Sequence, residues 1–91
     1  MPNTESAKKR MRQNEKRRLR NRRHRSTTRT FVKRARLAIE QGDLEAAREA
    51  TLQAISALDH AASKGVIHSN NAARRKSRLM QRLTRLEAES G

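Results

Sequence analysis

The sequence predicts an all-α fold: a three-helix bundle with a long basic N-terminal extension of the first helix. Three observations point there. Apolar residues recur at three- and four-residue spacing in three blocks. Breaks at Gly42 and Gly65 separate those blocks. The first 25 residues hold eleven Lys or Arg against two acidic residues, yet no Gly or Pro interrupts the chain between Asn3 and Gln41. Arg, Lys, Leu, Met and Gln favour helix, so this stretch is helix-prone although it has no apolar face to bury.

The first helix is expected to begin near Thr4 or Ser6, either of which suits a cap, and to run to Gln41 over roughly 50 Å. Only Ala7, Met11 and Leu19 offer apolar surface in its first half. From Thr28 the pattern changes. Thr28, Phe31, Val32, Ala35, Ala38 and Ile39 form a helical stripe, and Gly42 suits a left-handed C-cap.

Asp43 is the expected N-cap of the second helix, with Glu45 in its first turn. Leu44, Ala47, Thr51, Ile55, Leu58 and Ala62 make its stripe, widened by Ala46, Ala50, Ala54 and Ala61. Ser63-Lys64-Gly65 ends it, and Val66 is placed for the apolar contact that accompanies such a cap.

The third helix starts at His68, Ser69 or Asn70. Its stripe is Ala72, Lys76, Leu79, Leu83 and Leu86, with Met80 beside it. Lys76 interrupts that stripe, so its aliphatic stem is expected to cover the core edge while its charge reaches out. The whole reads as a single domain over 1–91: a basic arm at 1–27, a bundle at 28–86 and a fraying tail at 87–91.

Charge is distributed unevenly. The formal net charge is +14 and the pI about 11.9. Residues 43–63 are net acidic, while both flanks are strongly basic. Mere solubility would mix the signs throughout. A single-signed, helix-prone segment with no core of its own calls for a polyanion, above all a nucleic-acid backbone. Asn14 and Asn21, seven apart, either share one groove-facing side or are ordinary surface amides. The second basic cluster, Arg74 to Arg78, places like charges on helix neighbours, which costs stability without a partner.

Other functions find little support. There is no Cys, and His24, His60 and His68 are scattered without metal-ligand spacing. No enzyme, metal site, cofactor or small-molecule substrate is therefore expected. No apolar run approaches a membrane span, and no apolar h-region of a secretory leader follows the basic segment. Met11 and Leu19 are too little for an interfacial membrane helix. Phe31 is the only aromatic side chain. Readers of single strands stack bases on aromatics, so recognition through phosphates and shape is expected instead. His68 reads equally as a phosphate contact or as a plain helix-start residue. A likeness to a zipper-type DNA binder fails because Ser69 stands where Asn is wanted, and Leu79 and Leu86 give a single heptad step. Composition leaves RNA and duplex DNA both open.

Two stretches carry a closer resemblance. Ser6-Ala7-Lys8-Lys9-Arg10 with Glu15-Lys16-Arg17-Arg18-Leu19-Arg20-Asn21-Arg22 is the first. Gly65-Val66-Ile67-His68-Ser69-Asn70-Asn71-Ala72-Ala73-Arg74-Arg75-Lys76-Ser77-Arg78-Leu79 is the second. Their order, separation and the overall length resemble the bacterial small-subunit ribosomal protein S20 family. Pro2 departs from that family's usual Ala. The resemblance implies a non-enzymatic component of the cytoplasmic small ribosomal subunit that binds 16S ribosomal RNA directly and stabilises its folding during assembly. The implied partners are the RNA's 5′ domain and its 3′ minor-domain helix. The implied RNA-binding residues in the arm are Lys8, Lys9, Arg10, Arg12, Lys16, Arg17, Arg18, Arg20, Asn21, Arg22, Arg23 and Arg25. In the second motif they are His68, Asn70, Arg74, Arg75, Lys76, Ser77 and Arg78.

Overall fold

Three helices, with no strand among the described residues, make up the computed structural model, which describes residues 3–90 and side chains from residue 4 onward. Pro2 and the last residue of the expected tail, Gly91, lie outside the described residues. Helix α1 spans Asn3–Gln41, α2 spans Leu44–Ser63 and α3 spans Ser69–Ser90. The molecule measures 70 × 20 × 13 Å, because α1 is nearly twice as long as either neighbour.

Local chemistry sets the breaks. Gly42 adopts φ +79°, a left-handed conformation that costs any residue with a Cβ, and ends α1. Asp43 then caps α2: its carboxylate accepts the Ala46 amide at 3.3 Å, and its carbonyl accepts the Ala47 amide at 2.8 Å. At the far end Gly65 takes φ +73°. The Gly65 amide donates to the Ala62 carbonyl at 3.0 Å and the Val66 amide to the Ala61 carbonyl at 2.9 Å, a Schellman closure. Val66 itself is buried, which anchors the turn to the core.

The core is built from small residues. Ala35, Ala47, Ala54, Leu58, Ala61, Ala72, Leu79 and Leu83 are buried, with Phe31, Val32, Ala50, Ala62 and Ile67 packed at the edge. Alanines let the helices approach closely but remove little apolar area from water, so Leu58, Leu79 and Leu83 carry a large share of the burial. The stripes place these residues as expected, with two exceptions. Ala46 points to solvent, and Met80 is 45% exposed. Both lie on the flank of their stripe, too far around the helix to meet a neighbour.

Helix α2 packs on both α1 and α3, which touch each other less. Arg29 and Arg36 of α1 border the same cleft as Arg75 and Arg82 of α3. Arg25 and Arg29 also border a hollow with Ile67, His68 and Asn71 at the start of α3, so the two helices run in the same direction, with α2 antiparallel to both. Along α1, residues 4–20 are all exposed. The first half-buried positions are Asn21 and His24, and the first buried one is Thr28. Helix α3 continues to Ser90, past the point where the composition suggested fraying. An ion pair from Arg48 Nε to the Glu87 carboxylate, 3.1 Å long, ties that last turn to α2.

Candidate nucleic-acid interface

Basic side chains on α1 sort into two settings. Lys8, Lys9, Arg10, Arg12, Lys16, Arg17, Arg18 and Arg20 stand on a stretch of helix that is exposed at every position, with charges on every side. Arg22, Arg23 and Arg25 are exposed where α1 joins the bundle. Asn21, expected among the contacts, is half-buried there. At 100° per residue Arg18, Arg22, Arg25, Arg29 and Arg36 fall within about 60° of one another. They make a track about 27 Å long that begins on the arm and ends in the bundle.

The second motif does not lie on one face. Helix geometry divides it, because the core stripe Ala72–Leu79–Leu83 has a different neighbour on each flank. On the α2 side Lys76 Nζ meets the Asp59 carboxylate at 2.6 Å, so this half-buried cation already has its anion. On the α1 side and outward, Arg74, Arg75, Arg78, Arg82 and Arg85 occupy a sector about 100° wide. Among the described residues none of these five makes an ion pair. Ser77 and Asn70 are exposed on the outer face.

His68 is a helix cap. Its Nδ1 accepts the Asn70 amide at 3.1 Å, and its carbonyl accepts the Ala72 amide at 3.1 Å. The remaining ring nitrogen is free to face a ligand. His24 and His60, far apart in sequence, meet across α1 and α2 with ring centroids 5.3 Å apart and planes tilted by 54°. This corrects the expectation of three scattered histidines, since antiparallel packing returns the end of α2 to the base of the arm. Even so, no group of three or more metal-ligating side chains occurs among the described residues.

Arg29, Arg36 and Arg82 were absent from the residues singled out in the sequence. With Val32, Arg75, Arg78 and Leu79 they line a cleft of about 420 Å³ between α1 and α3. A neighbouring hollow joins Arg25 and Arg29 to His68, Asn71 and Arg75 at the start of α3. No acidic side chain lines either one. The signal was present as spacing: Arg25, Arg29 and Arg36 step by four and seven, and Arg75, Arg78 and Arg82 by three and four. Phe31 offers no stacking platform, being half-buried with the Arg34 guanidinium 5.6 Å from its ring centre.

Fold and surface define a small, strongly basic, all-α protein. A family model described as "Ribosomal protein S20" matches residues 2–84, and the chain belongs to that family. It is 62% identical over 86 residues to the small ribosomal subunit protein bS20 of Thermomicrobium roseum, covering 94% of this chain and 87% of that one. The protein of the same name from Aquifex aeolicus is 53% identical over 85 residues, covering 93% and 90%. That from Teredinibacter turnerae is 49% identical over 88 residues, covering 97% and 100%. Membership of a ribosomal-protein family agrees with a structural rather than an enzymatic role. No helix among the described residues is long and apolar enough to cross a membrane.

Proposed function

We propose that this chain is a structural component of the small ribosomal subunit in the cytoplasm, where it binds 16S ribosomal RNA directly and stabilises the RNA's fold during assembly. One observation carries the reading. Residues 4–20 form a helix with eight basic side chains, two acidic ones and no buried or half-buried position. Lys8–Arg12, Arg12–Lys16 and Lys16–Arg20 are like-charge pairs at four-residue spacing, each destabilising by roughly 0.2–0.5 kcal/mol. An RNA backbone turns that repulsion into attraction and releases condensed counterions as each cation docks. Family membership and the relatives' names support the ribosome as the setting.

In this reading the arm lies between phosphate backbones and the arginine flank of α3 meets a second RNA element. The 5′ domain and the 3′ minor-domain helix are the proposed pair. Arg74, Arg75 and Arg78 would bear on phosphates, along with the arm residues from Lys8 to Arg25. His68 would offer its free ring nitrogen, and Asn70 and Ser77 would add polar contacts. Lys76 contributes chiefly by holding α3 to α2 through Asp59.

A competition assay at physiological salt tests the proposal. Labelled 16S 5′-domain RNA, bound to the full chain, is challenged with equal masses of duplex DNA and of an unrelated folded RNA. Retention against both competitors is expected. Displacement by both competitors as readily as by unlabelled 5′-domain RNA would reduce the binding to generic charge neutralisation and remove the ribosomal assignment's physical basis.

A further inference from the structure

We propose that the cleft between α1 and α3 is a phosphate-binding site that grips the sugar–phosphate backbone of one nucleic-acid strand. Arg29 and Arg36 form one rail, and Arg75, Arg78 and Arg82 the other. Val32 and Leu79 make the floor. The proposal deepens the ribosomal RNA reading and rests on it for the identity of the strand; the phosphate chemistry itself does not depend on which RNA supplies it.

The rails match. Seven residues separate Arg29 from Arg36, and seven separate Arg75 from Arg82, so each rail is about 10 Å long. Arg29 and Arg75 also share the neighbouring hollow at the start of α3, so the two rails run side by side in the same direction. Guanidinium groups bind phosphate oxygens in pairs through a fixed fork of N–H donors. Five of them line the cleft with Val32 and Leu79, no acidic side chain lines it, and none of the five makes an ion pair among the described residues.

The occupant follows from continuity and from what the cleft lacks. The α1 rail extends through Arg25, Arg22 and Arg18 onto the arm, so the charge track is far longer than any single phosphate. A regularly charged polymer fits such a track. No aromatic side chain lines the cleft, so the backbone is gripped there and the bases are not stacked. The one aromatic residue, Phe31, lines a different hollow with Leu52, Gln53 and His60.

The experiment uses the full chain, labelled with nitrogen-15, and follows the arginine Nε–Hε signals during titration with inorganic tripolyphosphate. The five cleft arginines are expected to shift saturably, at concentrations where Arg34 and Arg48 barely move. Uniform, non-saturating shifts across all arginines would overturn the site. Equal shifts with polyglutamate at matched charge would overturn its phosphate character.

A second arm joins the site to the RNA. Arg36→Gln with Arg82→Gln is compared with Lys33→Gln plus Arg34→Gln, which removes the same charge outside the cleft. The cleft pair should lower affinity for 5′-domain RNA about tenfold more, and reduce the slope of log affinity against log salt by one to two. Equal losses for both pairs, with helicity unchanged, count against the cleft while leaving the ribosomal reading intact. Should the cleft pair fail to fold, the tripolyphosphate titration of the unaltered chain still decides. If the unaltered chain does not prefer 5′-domain RNA, the ribosomal reading fails and the titration judges the cleft alone.

Discussion

From Thr4 to Arg20 not one side chain of α1 is shielded from solvent, whereas from Asn21 to Ile39 a buried or half-buried residue recurs every three or four positions. Both stretches belong to one unbroken helix and share the same backbone hydrogen bonding. The difference lies in what stabilises them. The inner half is held by Thr28, Phe31 and Ala35 against α2. The outer half has only intrinsic propensity, opposed by its own charge. A helix segment without tertiary contacts is marginal in water even when its propensity is high. The bundle is thus a folded anchor, and in the proposed function the arm is a charge display that an RNA partner completes.

The largest effect that separates the halves comes from the core. Leu58 is fully buried between the helices. Leu58→Ala should destabilise the bundle by about 3 kcal/mol, a large fraction of the stability of so small a core. Chemical denaturation followed by far-ultraviolet circular dichroism reads this directly. An unchanged midpoint would mean that the bundle does not depend on this packing.

The complementary change acts on the arm. Arg17→Glu with Arg18→Glu should change the bundle's stability by no more than about 0.5 kcal/mol, since both residues are exposed on the arm. It should weaken binding to 16S 5′-domain RNA by roughly 10- to 100-fold and flatten the salt dependence. Unaltered affinity and slope would refute the arm's role. Amide exchange in the RNA-free chain sharpens the same contrast. Residues 4–20 are expected to exchange orders of magnitude faster than Ala54, Leu58 or Leu79. Comparable protection in both regions would show that the arm is self-sufficient.

Helix limits were the most legible part of this chain, because their causes are local. Gly42, Asp43, Gly65 and Val66 act on the residues beside them, and the structure places each in the role its type suggests. The helical stripes identified most of the core for the same reason. What escaped was set by the relation between helices. Arg75 and Lys76 are neighbours in sequence and chemically alike, but they stand about 100° apart on α3. One faces a cleft without anions and the other meets Asp59. That distinction depends on which helix lies on which flank. Arg29, Arg36 and Arg82 were missed likewise, since their cleft exists only once α1 and α3 are set side by side in register. The meeting of His24 and His60 required the same knowledge.

The two flanks of α3 allow a finer version of the comparison. Lys76→Gln breaks a cross-helix ion pair whose partners are 34% and 55% exposed in their side chains, so the loss in stability should stay below about 1 kcal/mol. Its effect on RNA affinity should be smaller than that of Arg75→Gln, although both remove one positive charge. Binding isotherms for the two variants at one salt concentration decide the matter. If Lys76→Gln costs more affinity than Arg75→Gln, RNA displaces Asp59 and the α2 flank of α3 is part of the interface.

A prediction that leaves RNA binding untouched concerns a residue that the stripe placed in the core although it is polar. Thr51 is fully buried in α2, and its hydroxyl has no hydrogen-bond partner. An unmatched buried hydroxyl loses its water without compensation, at a cost of roughly 1 kcal/mol or more. Valine has nearly the same shape and carries no polar atom. Thr51→Val should therefore stabilise the bundle by about 1 kcal/mol, or raise its melting temperature by roughly 4–8 °C. The arm should be indifferent to the change, with affinity and salt slope for 5′-domain RNA unaltered. A lower melting temperature would mean that the hydroxyl finds a partner in solution, such as a carbonyl of the preceding turn, and that the core of α2 is more polar than its alanines suggest.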